Sequence, residues 1–193
     1  MSARAAAAEV TRERIIAASV AAFSAHWYED VTVRGIAGDA DVALQTVRNH
    51  FPSKEALFSV AIDRISGGIE SVRGSVTPGD MDGAISTLVD DYEATGDILM
   101  RLLAVEERVA VVEPVIARGR AEHQAWVERV FAAALAGLRG KTRSRRIAQL
   151  VVATDVYAWK LLRRDKGLDR NQTITAMREL VASLHDKPEG GSR

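Results

Sequence analysis

Pro52 is the residue that most restricts how this chain can fold. A proline pushes the residue before it out of the α region, so a helical pattern over 44–50 has to stop at Phe51. Ser53 then opens another helix, 54–72, with the partial capping signature Ser53-Lys54-Glu55-Ala56. Upstream, Asp41-Val42-Ala43 interrupts the chain after a segment of helical pattern, 33–40, that Thr32 can cap. That segment carries Gly35 and Gly38, each costing about 1 kcal/mol relative to Ala. It cannot stand alone and must be held by packing through Val33, Ile36, Ala37 and Ala40. Position 41 lies in the tight turn, where a left-handed residue is often required and Asp is one of the few tolerated substitutes for Gly.

The remaining chain reads as helices as well. The patterns fall at 11–27, with Thr11 as its cap, and at 83–94, 97–111, 114–138, 143–165 and 170–185. Pro114 suits a first turn, Gly137 and Gly140 suit a helix end, and Asp169 with Gln172 resembles a capping box. The stretch 73–83, RGSVTPGDMDG, reads as a linker and 187–193 as a disordered tail. The fold class is therefore all-α, about nine helices, with no internal repeat. It divides into an N-terminal domain over 1–58, joined by the connecting helix 54–72, and a C-terminal domain over 59–186. The sequence has no Cys, which excludes disulfides, thiolate metal sites and a cysteine nucleophile. No apolar run approaches the ~20 residues of a membrane helix, and the start is too short in apolar residues for a signal peptide. The expected setting is the cytoplasm, with no membrane partner.

Two short helices joined by a tight turn, the second rich in polar side chains, form a helix-turn-helix, whose second helix enters the DNA major groove. Val42, Val47 and Phe51 make the buried side of 44–50. Leu44, Gln45, Arg48 and Asn49 point outward, with Thr46 and His50 at the margins. Gln and Asn can pair bidentately with adenine and Arg with guanine. Thr hydroxyls and Lys54 can hold phosphates.

The run 32–57, TVRGIAGDADVALQTVRNHFPSKEAL, resembles the DNA-binding signature of the tetracycline-repressor (TetR) family of bacterial regulators. The matching features are Thr32-Val33, Ile36-Ala37, Ala40, Val42, Thr46-Val47, His50-Phe51 and Ser53 to Leu57. The resemblance implies a homodimer that binds a palindromic operator on double-stranded DNA and lets go when a small-molecule effector enters the C-terminal domain, more in keeping with a repressor than an activator. It places Arg34 near the base edges and Thr46, Arg48 and Lys54 at phosphates. Three positions depart from the family: Asp41 stands where Gly is usual, Ala43 where Ser or Thr starts the third helix, and Arg48 where an aromatic is usual. The candidate DNA-binding set is Thr32, Arg34, Ala43, Leu44, Gln45, Thr46, Arg48, Asn49, His50 and Lys54.

Residues 1–58 hold six basic and seven acidic side chains, a net charge of −1 that is poor for a DNA binder and requires the acids to lie away from the groove. The basic run 139–146 reads as a solvated inter-helix loop, and the acidic clusters Asp90-Asp91-Glu93 and Glu106-Glu107 as solvated faces. His26, His50, His123 and His185 share no metal-ligand spacing, and no nucleophile, base and orienting group converge. No catalytic residue, metal or cofactor is expected. Candidate pocket residues are Tyr92, Met100, Leu103, Glu107, His123, Trp126, Tyr157 and Trp159.

Apolar stripes on 143–165 and 170–185 suit a four-helix bundle between two copies, through Val151, Ala158, Leu161, Leu162, Met177 and Leu184, with Arg163, Arg164 and Asp165 at its rim. The other reading is an all-α ligand-binding or enzymatic module in which the helix-turn-helix is only structural. Such a module has no need of Gln45, Arg48 and Asn49 together.

Overall fold

The computed structural model describes residues 3–184. Its helices are α1 (Ala3–Ala25), α2 (Val33–Asp39), α3 (Leu44–His50), α4 (Lys54–Gly74), α5 (Met81–Val105), α6 (Glu113–Val130), α7 (Ala132–Leu135), α8 (Gly140–Thr154), α9 (Val156–Lys160) and α10 (Arg170–Ala182). A 3₁₀ turn at Tyr28–Asp30 precedes α2, and a π-helical turn at Leu161–Asp165 continues α9. No strand occurs among the described residues, so the all-α reading holds. The expected tail over 187–193 and His185 lie outside the described residues.

The chain packs as two compact units. The first gathers residues up to Glu70 with Arg101–Val115; the second gathers Ser71–Met100 with the described residues from Ile116 onward. The first is built on the buried Ile15, Ile16, Ile36, Val47, Phe51 and Leu57 around Phe58, whose ring meets Phe23 and Tyr28 edge-on at 5.1 Å each. The core of the second contains Ile85, Leu88, Trp126, Phe131, Leu150, Trp159 and Met177. Edge-to-face ring pairs add to the gain from burial, and ten or so such side chains in contact explain why helices of low intrinsic stability persist.

Helix positions were legible, but several ends were not. Thr11 does not cap α1: the helix starts earlier, through the strong helix formers Ala5 to Ala8, and the Thr11 hydroxyl donates to the Ala7 carbonyl at 3.0 Å. The expected helices 83–94 and 97–111 are one continuous helix, α5. Gly96 does not break it, because the position serves a close approach: a Cβ there would collide with the Trp159 ring. The expected helix 114–138 ends at Val130, where the backbone turns to bury Phe131, and only the single turn α7 follows before Gly137 at φ 75°. The expected 143–165 helix starts at Gly140 and is interrupted at Asp155, whose backbone is extended (φ −75°, ψ 155°) and whose carboxylate caps α9 by accepting from the Tyr157 N–H at 2.9 Å. Asp is a strong N-cap, and a cap in mid-pattern is the signal that the sequence offered. Two other local expectations hold. Asp169 and Gln172 form the reciprocal capping box of α10, and the Ser53 hydroxyl accepts from the Ala56 N–H at 3.2 Å.

Gly96→Ala is expected to destabilise the protein. Ala gains about 1 kcal/mol of helix propensity, but overpacking against a rigid, fully buried indole costs about 1–3 kcal/mol. Equilibrium denaturation measures the balance; an unchanged or raised stability would show that α5 and Trp159 are not in this contact.

Candidate functional site

Helix α2 is capped by the Thr32 hydroxyl, which accepts from the Gly35 N–H at 3.0 Å. Its other end is a Schellman motif. The Asp41 N–H donates to the Gly38 carbonyl and the Val42 N–H to the Ala37 carbonyl, both at 3.0 Å. That geometry needs a left-handed residue at position 41, and Asp41 has φ 50°. The turn residue expected from the sequence is therefore the one found there. Arg14 of α1 reaches it, with Nη2 donating to the Asp41 carbonyl and to Oδ2, each at 3.1 Å.

Helix α3 follows with no side-chain cap from Ala43, as its lost hydroxyl implied. Val47 is fully buried and anchors it. Gln45, Arg48 and Asn49 are exposed, and Leu44, Thr46 and His50 are half-buried. The Gln45 Nε2 donates to Asn49 Oδ1 at 3.0 Å, so the two amides form one braced unit whose remaining donors and acceptor face outward. Arg34 and Arg48 are exposed and make no ion pair among the described residues. Thr32 is exposed but occupied as a cap. Lys54 is occupied too: its Nζ donates to the Glu29 carbonyl at 3.3 Å and lies 4.3 Å from the centre of the Tyr28 ring. Partial burial lowers its pKa, with Glu29, Glu55 and Asp30 acting in the opposite sense. Burial and the Glu55 carboxylate, which accepts from the Tyr28 hydroxyl at 3.2 Å, raise Tyr28 to about 12.

Some of the acidic side chains behind the unfavourable charge count are held in ion pairs. Glu9 and Glu13 lie 3.8 Å from Arg12, Glu13 also meets Arg64 at 2.8 Å, and Asp41 meets Arg14 at 3.1 Å. The carboxylates of Glu9, Glu13 and Asp41 are thus matched within the fold, while the guanidiniums of Arg34 and Arg48 are left open to a partner.

Of the pocket candidates, Leu103 and Glu107 belong to the first unit and Met100 to the second; Leu103 and Met100 are half-buried and Glu107 is exposed. Tyr92, His123, Trp126 and Trp159 are buried in the second unit, and Tyr157 is half exposed. The first three converge on Arg73, which the sequence placed in a linker and which is instead in α4. Arg73 Nε donates to Asp91 Oδ2 at 2.7 Å and Nη1 to His123 Nδ1 at 3.2 Å, while Trp126 Nε1 donates to the Arg73 carbonyl at 3.2 Å. Burial opposes the Arg73 charge, but Tyr92 and Asp91 outweigh it and hold the guanidinium above its ordinary pKa.

Because Arg can only donate, His123 must present a lone pair at Nδ1 and carry its proton on Nε2, which bonds Thr154 Oγ1 at 3.1 Å. The Tyr92 hydroxyl donates to the Thr154 carbonyl at 3.0 Å. That carbonyl lies one residue before the break at Asp155, so the cluster satisfies a helix end that would otherwise be buried unpaired. Asp91 falls seven residues after Ala84 on the buried stripe Ala84, Leu88 and Tyr92, and a carboxylate at a core position demands a partner. The sequence carried that signal, and reading Asp91 as solvated was wrong. Glu93 likewise accepts from Trp159 Nε1 at 3.1 Å and Arg163 Nε at 2.8 Å, and Arg164 meets Asp97 at 3.1 Å.

Of the dimer candidates, Met177 is fully buried in its own unit; Val151, Ala158, Leu162 and Leu184 are half-buried, and Leu161 is 53% exposed. Val152, Tyr157 and Leu180 are exposed apolar side chains on neighbouring elements. No group of three or more His, Asp or Glu suited to a metal occurs among the described residues, and none of their helices is long and apolar enough to cross a membrane.

Residues 15–61 match the model of the bacterial regulatory proteins of the tetR family. The segment from α1 into α4 is therefore a TetR-family N-terminal domain, and the resemblance read from 32–57 holds. No curated protein matches the sequence. Among solved structures, a transcriptional regulator from Rhodococcus sp. Rha1 aligns with TM-score 0.70 and 17% identity, over 89% of this chain and 94% of its own. A member of the TetR family from Streptomyces coelicolor A3 aligns at 0.66 and 18%, over 88% and 97%. The multidrug binding protein EbrR, complexed with imidazole, aligns at 0.63 and 19%, over 93% and 92%. At these identities the likeness is one of fold, and it extends through both units.

Burial and the Arg73 charge hold His123 down at about 4, against an ordinary 6.5. Its neutral form thus contributes stability that is full above pH 6.5 and is lost as pH falls towards 4, about 3 kcal/mol in all. His123→Gln, which cannot titrate, should flatten that part of the stability–pH curve. Urea denaturation between pH 7 and 4.5 checks it, and equal slopes for the two proteins would contradict a neutral, desolvated His123.

Proposed function

We propose that this protein is a DNA-binding transcriptional regulator that acts as a homodimer on a palindromic operator, as a repressor released by a small-molecule effector. The observation that carries the reading is the outward face of α3. It combines the braced Gln45–Asn49 amides with an unpaired Arg48, and Val47 supplies the rigid anchor behind them. Amides and guanidinium are the side chains that read base edges in the major groove. Arg34, open at the first turn of α2, supplies a further cation, and Ala43, Leu44, Thr46 and His50 border the contact.

A two-fold arrangement is supported by Val152, Tyr157, Leu161 and Leu180, exposed apolar residues on α8, α9, the π-helical turn and α10, where an isologous contact would remove them from water. The fold shared with EbrR, described as a multidrug binding protein, supports an effector held in the second unit near Trp126 and Tyr92. An effector acts by favouring one of two arrangements of the protein. The expected place of work is the cytoplasm.

Selection from a random duplex library should enrich a palindrome whose half-sites lie about one or two helical turns apart. Failure to enrich a two-fold site would refute the operator reading. Leu161 is more than half exposed, so Leu161→Glu leaves the protomer folded while placing two desolvated charges at a symmetric contact. It should yield monomers by light scattering and lose operator binding; a wild-type monomer at micromolar concentration would rule out the dimer.

A further inference from the structure

The turn before α3 contains a contact that neither family likeness nor helix packing requires. Asp41 is the only described non-Gly residue at positive φ, and its side chain is 98% exposed, so no burial holds it there. For an L-residue with a Cβ the left-handed region is unfavourable. The backbone of the turn has no freedom to relieve this, since the N–H groups of Asp41 and Val42 are both committed to carbonyls of α2. From outside the turn, Arg14 grips the strained residue. A single nitrogen, Nη2, binds the Asp41 carbonyl and its carboxylate, 27 residues away in sequence and from the middle of α1. Three residues beyond Asp41 α3 begins, and its N-cap residue, Ala43, provides no side-chain cap. The direction in which α3 leaves the turn thus depends on the conformation of one exposed aspartate, which the Schellman bonds hold from within and the guanidinium contacts from outside.

We propose that Arg14 is a positioning residue for DNA reading: by pinning Asp41 in the left-handed conformation it fixes the aim of α3, and so of Gln45, Arg48 and Asn49, without touching the nucleic acid. The inference rests on α3 being the reading helix. It makes Arg14 and Asp41 a matched pair, in which the arginine does for aspartate what the absence of a Cβ would do for glycine.

The test is a double-mutant cycle on the full chain with Arg14→Ala, Asp41→Gly and both together, read by affinity for the selected duplex over a range of salt. Arg14→Ala should weaken binding about tenfold, the factor that corresponds to the left-handed penalty of an unpinned residue. The slope of log K against log salt should stay at the wild-type value. Asp41→Gly should bind at least as well as wild type, and the double variant within about twofold of Asp41→Gly, because glycine needs no pin. In the protein without DNA, amide exchange at Asp41 and Val42 should accelerate in Arg14→Ala, and exchange at Val42 should become slow again in the double variant.

A slope reduced by about one in Arg14→Ala would mean that Arg14 contacts a phosphate directly, and would overturn the proposal. So would a double variant as weak as Arg14→Ala, or unchanged affinity with a lowered thermal midpoint, which marks a merely structural bond. No duplex binding by the wild type overturns the DNA reading itself and this inference with it; normal binding by Arg14→Ala overturns this inference alone.

Discussion

The first unit depends on one backbone conformation, the left-handed residue between α2 and α3. Two helices of seven residues each cannot persist on their own hydrogen bonds, and their relative direction is meaningful only if the link between them has a single geometry. The Schellman motif supplies that geometry by committing the N–H groups of Asp41 and Val42, and the buried Ile36, Ala37, Val47 and Phe51 then lock the two helices onto α1 and α4. Everything exposed on α3 follows from this. Because Val47 and Phe51 face inward one turn apart, positions 45, 48 and 49 have no choice but to face out.

The second unit is organised around a buried charge rather than a turn. Asp91 and Arg73 would each be costly to bury alone; together, with Tyr92, His123, Trp126 and Thr154 completing their hydrogen bonds, they form a satisfied network. Its reach explains an otherwise odd feature, the extended residue between α8 and α9. Breaking a helix inside a core strands a carbonyl, and here the Thr154 carbonyl is taken by the Tyr92 hydroxyl while Asp155 caps the next helix. The polar network and the helix break are thus one structural device.

How much of this could be read in advance depended on whether the determining interaction was local. The caps at Thr32, Ser53 and Asp169, the stop before Pro52 and the special turn at 41 all act within a few residues, and each was legible. The outward set Gln45, Arg48 and Asn49 was legible for the same reason, helical period around a buried Val47. What failed was decided across the fold. The continuity of α5 through Gly96 was missed because Trp159, 63 positions later, is invisible to local pattern. Arg73 looked like linker, and Asp91 like a solvated acid, because each is explained only by the other. Lys54 is held by the Tyr28 ring and the Glu29 carbonyl, partners 25 and more residues away that local pattern does not show.

The most direct test of the account is methylation interference on the selected duplex. Guanine N7 lies in the major groove, where α3 is assigned, and its methylation removes the acceptor that a guanidinium would use. The account predicts two symmetric patches of interference, one per half-site, separated by one or two turns of DNA. Interference confined to adenine N3 in the minor groove, or a single patch without its symmetric mate, would contradict the assignment of α3 as the reading helix of a two-fold regulator.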